Sequence, residues 1–352
     1  MEPTFRAAND CEMPQQACAH EYPRLLADIG GTNARFALEM PGHRFEAVTV
    51  LATNSYHSIS EALHAYLSQP VAVAAGARQV CHAAFAVAQP VDGDHVKLTN
   101  ADWAFSIEAL RIEFKLDTLL VVNDFTALAM ALPRLTAEQK RQVGSGLERG
   151  EAPIALLGAG TGLGVSGLMP SPGGWIPLQS EGGHASFAPA DEREAGILHF
   201  AWREYPHVSA ERLMSGMGLE LVYRALAHRN GRTPEALSAP DITHRALSGE
   251  CALCDETIET FCLMLGTMAG NLALTLGAKG GVYIGGGIVP RLGTRFDASG
   301  FRRRFEQKGR YSGYLAAIPT FVITAEHPAF AGVSSLLAEK MGRSVLAAQA
   351  FR

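Results

Sequence analysis

The sequence predicts a mixed α/β fold divided between two domains. The chain has 352 residues, 47% of them hydrophobic, which is enough to bury a substantial core. This length is typical of two domains, or of one domain with a large insertion. Apolar strand-like runs alternate with helical patterns, and three glycine-rich turns lie at strand boundaries. No repeat of fixed period is visible, which argues against solenoid and propeller folds.

Charge and composition indicate a small-molecule partner. The formal net charge is −5, from 30 basic and 35 acidic residues, and the chain has no long basic run. Binding to nucleic acid or to an anionic membrane usually requires a basic surface. We therefore expect no nucleic acid and no membrane among the partners.

The N-terminal residues and the cysteines favour a reducing, cytoplasmic location. Four charged residues interrupt the start of the chain before the apolar run of a signal peptide can form, namely Glu2, Arg6, Asp10 and Glu12. The cysteines are too few and too scattered for a disulfide framework: Cys11, Cys18, Cys81, Cys251, Cys254 and Cys262. Residues 1–22 have no periodicity, and we expect a poorly ordered tail.

Strand and turn patterns dominate the first part of the chain. Arg24–Ile29 and residues 34–40 are apolar and flank a turn at residues 30–33, which predicts a β-hairpin. Further strands are predicted at residues 80–88 and 118–122.

Helical patterns dominate the remainder. The strand at residues 118–122 runs into a helix at residues 126–132, which Pro133 ends. Longer helices are predicted at residues 209–229 and 250–276, and the last helix begins near Pro328. Residues 261–278 are nearly long enough to span a bilayer. Because Asn271, three glycines and a preceding acidic segment interrupt the pattern, a buried core helix is the better interpretation.

The first glycine turn comprises Asp28, Ile29, Gly30, Gly31, Thr32 and Asn33. Without side chains, the glycine backbone can approach a phosphate closely, and the neighbouring carboxylate of Asp28 can hold magnesium through water. An ordinary hairpin turn has the same composition. This turn alone therefore does not decide between the two interpretations.

The second and third glycine turns strengthen the case for a nucleotide. The second, Gly158-Ala159-Gly160-Thr161-Gly162-Leu163-Gly164, follows an apolar strand but matches neither the P-loop nor the dinucleotide fingerprint; its Thr161 hydroxyl can donate to a phosphoryl group. The third, residues 280–290 with Gly285, Gly286 and Gly287, leaves room for an adenine ring against the backbone. Each has a ligand-free interpretation as a strand connection. Three such turns together favour nucleotide binding.

Asn123 and Asp124 end an apolar strand and begin a helix. This position projects side chains at the edge of a sheet, where ligands bind in α/β folds. Asp124 can accept a hydroxyl proton during phosphoryl transfer, whereas the plainer interpretation is a helix N-cap. From spacing alone, the two interpretations are about even.

Glu181-Gly182-Gly183-His184 places two hydrogen-bonding side chains around two glycines, as a sugar site requires. No further ligands at suitable spacing support a metal there. Glu211 is ambiguous, because a helix first turn also favours an acid. Cys251 and Cys254 form one isolated pair, which indicates ordinary helix cysteines.

Together these motifs resemble the bacterial glucokinase family, from residue 23 to the last helix. The resemblance is carried by Leu26-Ala27-Asp28-Ile29-Gly30-Gly31-Thr32-Asn33-Ala34-Arg35, Leu98-Thr99-Asn100, Trp103-Ala104-Phe105-Ser106, Asn123-Asp124-Phe125-Thr126-Ala127, the second glycine turn, Glu181-Gly182-Gly183-His184, His207-Val208-Ser209-Ala210-Glu211-Arg212 and Gly285-Gly286-Gly287-Ile288-Val289-Pro290-Arg291. The order of these motifs is far more specific than any one of them. Met217 departs from the pattern, because proline is common there.

The resemblance implies the actin-like (ribonuclease H-like) hexokinase fold, with two α/β domains flanking an active-site cleft. The C-terminal helix of that fold returns to the N-terminal domain, so the small domain would comprise residues 23–134 and 325–352, and the large domain residues 135–324. The cysteine-rich zinc motif of a related sugar-kinase family is absent after His184, so we expect no structural metal.

The resemblance also implies the function and the roles of individual residues. ATP would phosphorylate the 6-hydroxyl of D-glucose with Mg²⁺, giving glucose 6-phosphate and ADP, the opening step of glycolysis. Asp124 would be the catalytic base. The sugar-binding residues would be Asn123, Asp124, Glu181, His184 and Glu211. The nucleotide-binding residues would be Ala27, Asp28, Ile29, Gly30, Gly31 and Thr32, and from the other turns Gly160, Thr161, Gly162, Gly285, Gly286 and Gly287. Members commonly form homodimers.

Two alternatives stay open at this point. A kinase of mannose or fructose would use the same loops and base. A sugar-sensing regulator would keep the fold, but the N-terminal tail is too short and too acidic for a basic helix-turn-helix.

Overall fold

A computed structural model describes residues 21–98 and 103–350, with side chains described as far as residue 342. The predicted tail therefore lies almost entirely outside the described residues, as do Thr99 and Asn100 of the motif series.

The described residues contain thirteen strands: β1 Arg24–Ile29, β2 Asn33–Met40, β3 Arg44–Ala52, β4 His82–Val87, β5 His95–Lys97, β6 Ala104–Ser106, β7 Thr118–Asn123, β8 Lys140–Val143, β9 Ile154–Ala159, β10 Leu163–Ser171, β11 Gly174–Leu178, β12 Gly281–Gly285 and β13 Thr320–Ile323.

They also contain fourteen α-helices: α1 Ile59–Leu67, α2 Pro70–Ala74, α3 Ile107–Glu113, α4 Asp124–Ala131, α5 Glu192–Ala201, α6 Ala210–Leu213, α7 Gly216–Arg229, α8 Ala239–Leu247, α9 Ala252–Leu276, α10 Val289–Leu292, α11 Thr294–Asp297, α12 Phe301–Glu306, α13 Ser312–Ala316 and α14 Pro328–Ala350. Short 3₁₀ turns occur at Thr53–Ser55, Ala77–Gln79, Leu132–Arg134, Ala137–Gln139, Gly182–His184 and Gly309–Tyr311.

The first sheet has five strands in the order β3-β2-β1-β4-β7. β1, β2 and β3 form an antiparallel meander, whereas β4 and β7 continue the sheet parallel to β1. The central strand β1 is apolar on both faces because both faces are covered. Leu25 packs into a core with α1, and Leu26 faces α14 on the opposite side.

The second sheet repeats this arrangement, in the order β11-β10-β9-β12-β13-β8. β9, β10 and β11 form the antiparallel meander, β12 and β13 lie parallel to β9, and β8 adds an antiparallel edge strand. The predicted two-sheet α/β fold of the actin-like type is therefore confirmed. β5 and β6 form a separate small ribbon.

Helix α4 contacts both sheets. Ala127 packs with Leu26 of the first sheet and with Phe330 of α14. Met130, near the end of the same helix, packs with Leu156 of the second sheet. The helix that begins at Asp124 is therefore positioned by both halves of the fold.

Helix α14 returns to the first sheet. A Cβ at Gly332 would overlap the Ala127 carbonyl oxygen, so α14 and α4 cross in backbone contact. Nearby, the buried Ser334 hydroxyl donates to Glu39 Oε1 (2.6 Å) on β2, and Glu39 also faces the buried Arg24 at 3.8 Å. The last helix thus completes the packing of the N-terminal sheet.

Most predicted elements are confirmed with small shifts in their bounds. The hairpin is β1 and β2, and Pro133 lies in a 3₁₀ turn directly after α4. The helix predicted at residues 209–229 divides into α6 and α7, because Ser215 caps a new helix by accepting from the Gly218 N–H (3.2 Å).

The long apolar helix α9 lies in the core of the second half. Among the described residues, α9 alone is long and apolar enough to cross a membrane, and 72% of its most apolar window is buried in the protein. This burial confirms the interpretation of a core helix. Cys251 is the N-cap of α9; it and Cys254 carry free thiols, whereas Cys81 is disulfide-bonded, which the sequence did not predict.

Candidate active site

The carboxyl ends of the three parallel strands of the first sheet lie side by side. In the register of β1, β4 and β7, Ile29 is level with Val87, and Val87 is level with Asn123. The first glycine turn follows β1, and α4 follows β7 directly. The topology therefore brings Asp28 and Asp124 to one edge of the sheet, where α/β folds bind ligands.

Asn123 and Asp124 divide the two roles that the sequence left open. The Asn123 side-chain oxygen caps α4 by accepting from the N–H groups of Phe125 (2.9 Å) and Thr126 (3.1 Å). Its amide donates to Asp124 Oδ1 (3.0 Å), which also accepts from the Phe125 N–H (2.9 Å). Both of these hydrogen bonds go to Asp124 Oδ1. The other carboxylate oxygen, Oδ2, is therefore the one placed to accept a proton from a ligand.

The environment of Asp124 favours a proton acceptor that works near neutrality. Burial and, second, the negative charge of Asp28 raise the pKa of Asp124 to about 7, although hydrogen bonds from Phe125 and Asn123 oppose this. A base is most effective when its pKa lies near the working pH. The main cause is removal of the Asp124 carboxylate from water, and the second is the nearby negative charge of Asp28.

Asp28 is held by Arg35 across the hairpin. Arg35 Nη1 donates to Asp28 Oδ2 at 3.0 Å, because residues 28 and 35 are paired in the antiparallel register of β1 and β2. Burial raises the pKa of Asp28, whereas the Arg35 guanidinium lowers it. No role for Arg35 was predicted; the register of the predicted hairpin was the signal that would have found this pair. The first glycine turn closes through the Gly30 N–H, which donates to the Asn33 carbonyl (2.9 Å).

The second and third glycine turns pack directly on each other. The Ile288 N–H donates to the Ala159 carbonyl (3.1 Å), and a Cβ at Gly160 would come to 3.6 Å from the Gly287 nitrogen. Gly286 has φ +81°, and a side chain there would overlap the Ala159 backbone. Both turns follow parallel strands of the second sheet, β9 and β12. Together they form a continuous glycine-rich backbone surface.

Glu181, His184 and Glu211 gather beside the second glycine turn. His184 Nε2 lies 4.0 Å from Glu181 Oε2 and 3.9 Å from Glu211 Oε1. Glu211 Oε2 also accepts from the Leu163 N–H (2.9 Å), which fixes Glu211 to the loop. A Cβ at Gly183 would overlap the Leu163 carbonyl oxygen, so the glycine lets the His184 turn lie against β10.

These three side chains leave hydrogen-bonding capacity toward solvent. Glu181 and His184 are 61% and 60% exposed at the side chain, and Glu211 is 28% exposed. Within the described ranges, no group of three or more His, Cys, Asp or Glu side chains has the geometry of a metal site. The arrangement is therefore suited to a polar organic ligand with several hydroxyl groups.

Phe125 joins the two parts of the site. This residue follows Asp124, and its ring lies where side chains of Gly158 and Gly164 would otherwise be. No function was predicted for Phe125. The only sequence signal for this contact was an aromatic residue next to the candidate base, in a chain whose predicted strands also carry glycines.

Comparison with known proteins agrees with this geometry. The glucokinase family model matches residues 25–340. The glucokinase of Chromobacterium violaceum is 54% identical over 91% of this chain and 90% of its own length. The bifunctional protein glk of Burkholderia pseudomallei is 56% identical over 91% of this chain, but the chain spans about half of that relative, 49% of its length.

A solved structure gives the same assignment. The crystal structure of a glucokinase from an Antarctic psychrotroph has a TM-score of 0.81 and 37% identity, and the match covers 91% of this chain and all of that one (100%). The family match extends over most of the chain and includes both sheets and every element that carries the candidate site. The chain belongs to the glucokinase family.

Proposed function

We propose that the chain is an ATP-dependent glucokinase, which transfers the γ-phosphoryl group of ATP to the 6-hydroxyl of D-glucose. Family membership supports this, as do the named activities of relatives more than 50% identical over nearly their whole length. The observation that carries the proposal is Asp124: a carboxylate with a pKa of about 7 that follows β7 directly, at the sheet edge where β1 leads into the first glycine turn.

Asp124 is the general base in this proposal. It accepts the proton of the 6-hydroxyl as that oxygen attacks the phosphorus, and the bond to the leaving ADP breaks in line. Since the pKa lies near neutrality, the ionised base and a useful driving force for proton transfer coexist. A positioned base contributes about 10²- to 10⁴-fold to the rate.

Asn123, Glu181, His184 and Glu211 bind the sugar. Glu181, His184 and Glu211 lie together beside the second glycine turn, and Asn123 donates to Asp124 at the end of β7. Leaving one buried polar partner unpaired costs about 1–3 kcal/mol, so a sugar with one hydroxyl inverted is penalised by about that amount. This is the physical basis for selectivity between hexoses.

The glycine turns hold the nucleotide. Ala27 to Thr32 and Gly160 to Gly162 line the phosphates, with the Gly30 and Gly160 N–H groups closing the two turns onto the Asn33 and Gly162 carbonyls. Thr161 adds a hydroxyl, and Gly285 to Gly287 lie along the base. The Asp28 carboxylate, facing Asp124 at the strand end, fits a magnesium ion bound through water and phosphate oxygens, as this cation prefers. Bound there, magnesium would neutralise charge on the transferring phosphoryl group.

Closure of two domains would exclude water from the reaction. We assign residues 23–134 and 325–352 to the small domain and residues 135–324 to the large domain. Sugar-driven closure assembles the site only when glucose is present and so limits transfer to water. We further propose that the enzyme works in the cytoplasm as a homodimer, in keeping with the family resemblance.

The test is glucose-dependent production of ADP with ATP and magnesium, for the wild type, Asp124→Ala and the exposed-acid control Asp92→Ala. We expect glucose-selective turnover that collapses only in Asp124→Ala. Mannose and fructose as acceptors test the sugar. Equal rates with all three hexoses would refute selectivity for glucose. Full activity of Asp124→Ala would show that Asp124 is not the general base. No turnover with any hexose would refute the kinase assignment.

A further inference from the structure

Three glycines form a row across the second sheet. In the strand register Gly164 of β10 is opposite Gly158 of β9, and Gly158 is opposite Gly285 of β12. A row without side chains makes a shallow channel on one face of a sheet. Glycine within strands weakens a sheet and often marks a place where another group approaches closely.

The helix that carries the candidate base occupies this channel. A Cβ on Gly158 would lie 2.8 Å from Phe125 Cζ, and a Cβ on Gly164 would overlap three atoms of the same ring. Further along α4, Leu128 Cδ2 would lie 3.1 Å from a Cβ on Gly285. No other residue type fits at positions 158 and 164 while the ring stays where it is.

The Phe125 backbone is tied to the base. Its N–H donates to Asp124 Oδ1 and to the side-chain oxygen of Asn123, both at 2.9 Å. A displacement of the ring that carries the Phe125 backbone with it therefore moves the N–H that holds the carboxylate. The Phe125 ring itself packs against the second glycine turn, because Gly158 and Gly164 are the first and last residues of that turn.

We propose that Phe125 is a positioning residue: its ring, seated on the Gly158–Gly164 pair, fixes the Asp124 carboxylate relative to the second glycine turn. This rests on the proposed function, in which Asp124 is the base and that turn binds phosphate. A misplacement of about 1 Å in such an arrangement lowers turnover by about 10²-fold. The contact thus sets the distance between the acceptor oxygen and the phosphoryl group.

A double-mutant cycle tests this inference. The variants are Gly164→Ala, whose methyl group displaces the ring, Phe125→Leu, which loses the ring contact, and the two combined. We expect each single change to lower kcat at least tenfold with a smaller change in KM for glucose. The combined variant should be no slower than the worse single variant, because leucine leaves room for the added methyl group.

Controls separate positioning from loss of stability. Met130→Ala also removes three heavy atoms from α4 where the helix packs on the second sheet, and we expect it to lower the melting temperature while keeping kcat within about threefold. The acid limb of the kcat/KM profile should move to lower pH in Phe125→Leu, because water reaches Asp124 when the ring is displaced.

The outcomes are distinguishable. A wild type without glucose-dependent turnover refutes the proposed function itself. An active wild type with multiplied losses in the combined variant, or with an unshifted acid limb in Phe125→Leu, refutes the positioning role. Loss of kcat in Met130→Ala equal to that in Phe125→Leu would also refute it, since general destabilisation would then explain both.

Discussion

Replacing Asp124 with asparagine changes the charge of the side chain with almost no change of shape. The amide oxygen can still accept from the Phe125 N–H and from the Asn123 amide, so the start of α4 is preserved. Only the ionisation is lost. The variant therefore separates what the carboxylate does for catalysis from what it costs the fold.

The size of that cost follows from the pKa. The pKa of Asp124 rises from 3.8 to about 7, and one pKa unit corresponds to about 1.4 kcal/mol, so ionisation destabilises the folded protein by at most about 4 kcal/mol. Partial exposure to solvent and the buried amide reduce the expected gain to roughly 1–3 kcal/mol. Asp124→Asn should therefore be more stable than the wild type at pH 8 and lose about 10²- to 10⁴-fold in kcat.

The pH dependence gives this prediction its sign. Below about pH 4 the carboxyl is protonated in both the folded and the unfolded chain, so the variant gains nothing. As pH rises toward 7, the unfolded chain is ionised while the folded chain stays protonated, and the wild type loses stability relative to the variant. Above pH 7 the difference is constant.

Urea unfolding at pH 5, 6, 7 and 8 measures this difference, with Asp92→Asn as an exposed-acid control. The gain of Asp124→Asn should grow between pH 5 and 7 and then level off, while the control stays within about 0.5 kcal/mol of the wild type. A variant that is less stable than the wild type at pH 8, or a gain that is equal at pH 5 and 8, would contradict the reasoning about burial.

Further substitutions test other parts of the structure. Asp28→Asn removes the negative charge that contributes to the raised pKa of Asp124, so the pKa of Asp124, titrated by NMR without magnesium, should fall; an unchanged pKa would show that burial alone sets it. Gly183→Ala forces a methyl group against a backbone carbonyl of β10, so KM for glucose should rise at least tenfold while KM for the nucleotide changes little. An unchanged KM for glucose would show that this turn does not take part in sugar binding. Arg304→Leu leaves the buried Glu194 carboxylate without its arginine partner and should lower the free energy of unfolding by about 3–5 kcal/mol. Adding Glu194→Gln should recover part of this loss. A loss below about 1 kcal/mol would mean that the Arg304–Glu194 pair is not effectively buried.

The parts of the fold that sequence could predict are those that bury continuous apolar runs. β1, β4 and β9 lie inside their sheets, and β7 forms one edge of the first sheet. All four stand out as apolar segments, and β1, β7 and β9 are followed directly by a glycine or an acid. The strand-to-helix pattern predicted that Asp124 projects at the edge of a sheet, whereas Asp28 was predicted only as part of a hairpin turn; because parallel strands end at one edge, the structure has both residues there. Their placement there is a consequence of topology that local sequence already contains.

Edge strands and the internal duplication were not predictable in this way. β8 reads Lys-Arg-Gln-Val and β3 alternates between exposed and partly buried positions, so neither has the apolar signal of a central strand. The repeated strand order leaves no periodic sequence, because each copy is adapted to different helices. Sequence gives the elements, whereas their pairing across distant parts of the chain depends on packing.

Within the candidate site, contacts between distant segments were the main omission. Asn123 is the N-cap of α4, and residue spacing cannot show which of two adjacent residues, Asn123 or Asp124, caps the helix. The Phe125 contact depends on the register of Gly158 and Gly164, which lie in different strands. The catalytic, sugar-binding and nucleotide-binding roles assigned to individual residues remain predictions.

The return of α14 to the first sheet also affects the order in which the protein can fold during synthesis. The strands of that sheet leave the ribosome first, but Leu26, Ala37 and Ala84 are covered by a helix that is translated only after the entire second sheet. Until then, an apolar face of the nascent chain stays uncovered and open to aggregation or to chaperone binding. The N-terminal half of the chain therefore reaches its native packing last, although it is made first.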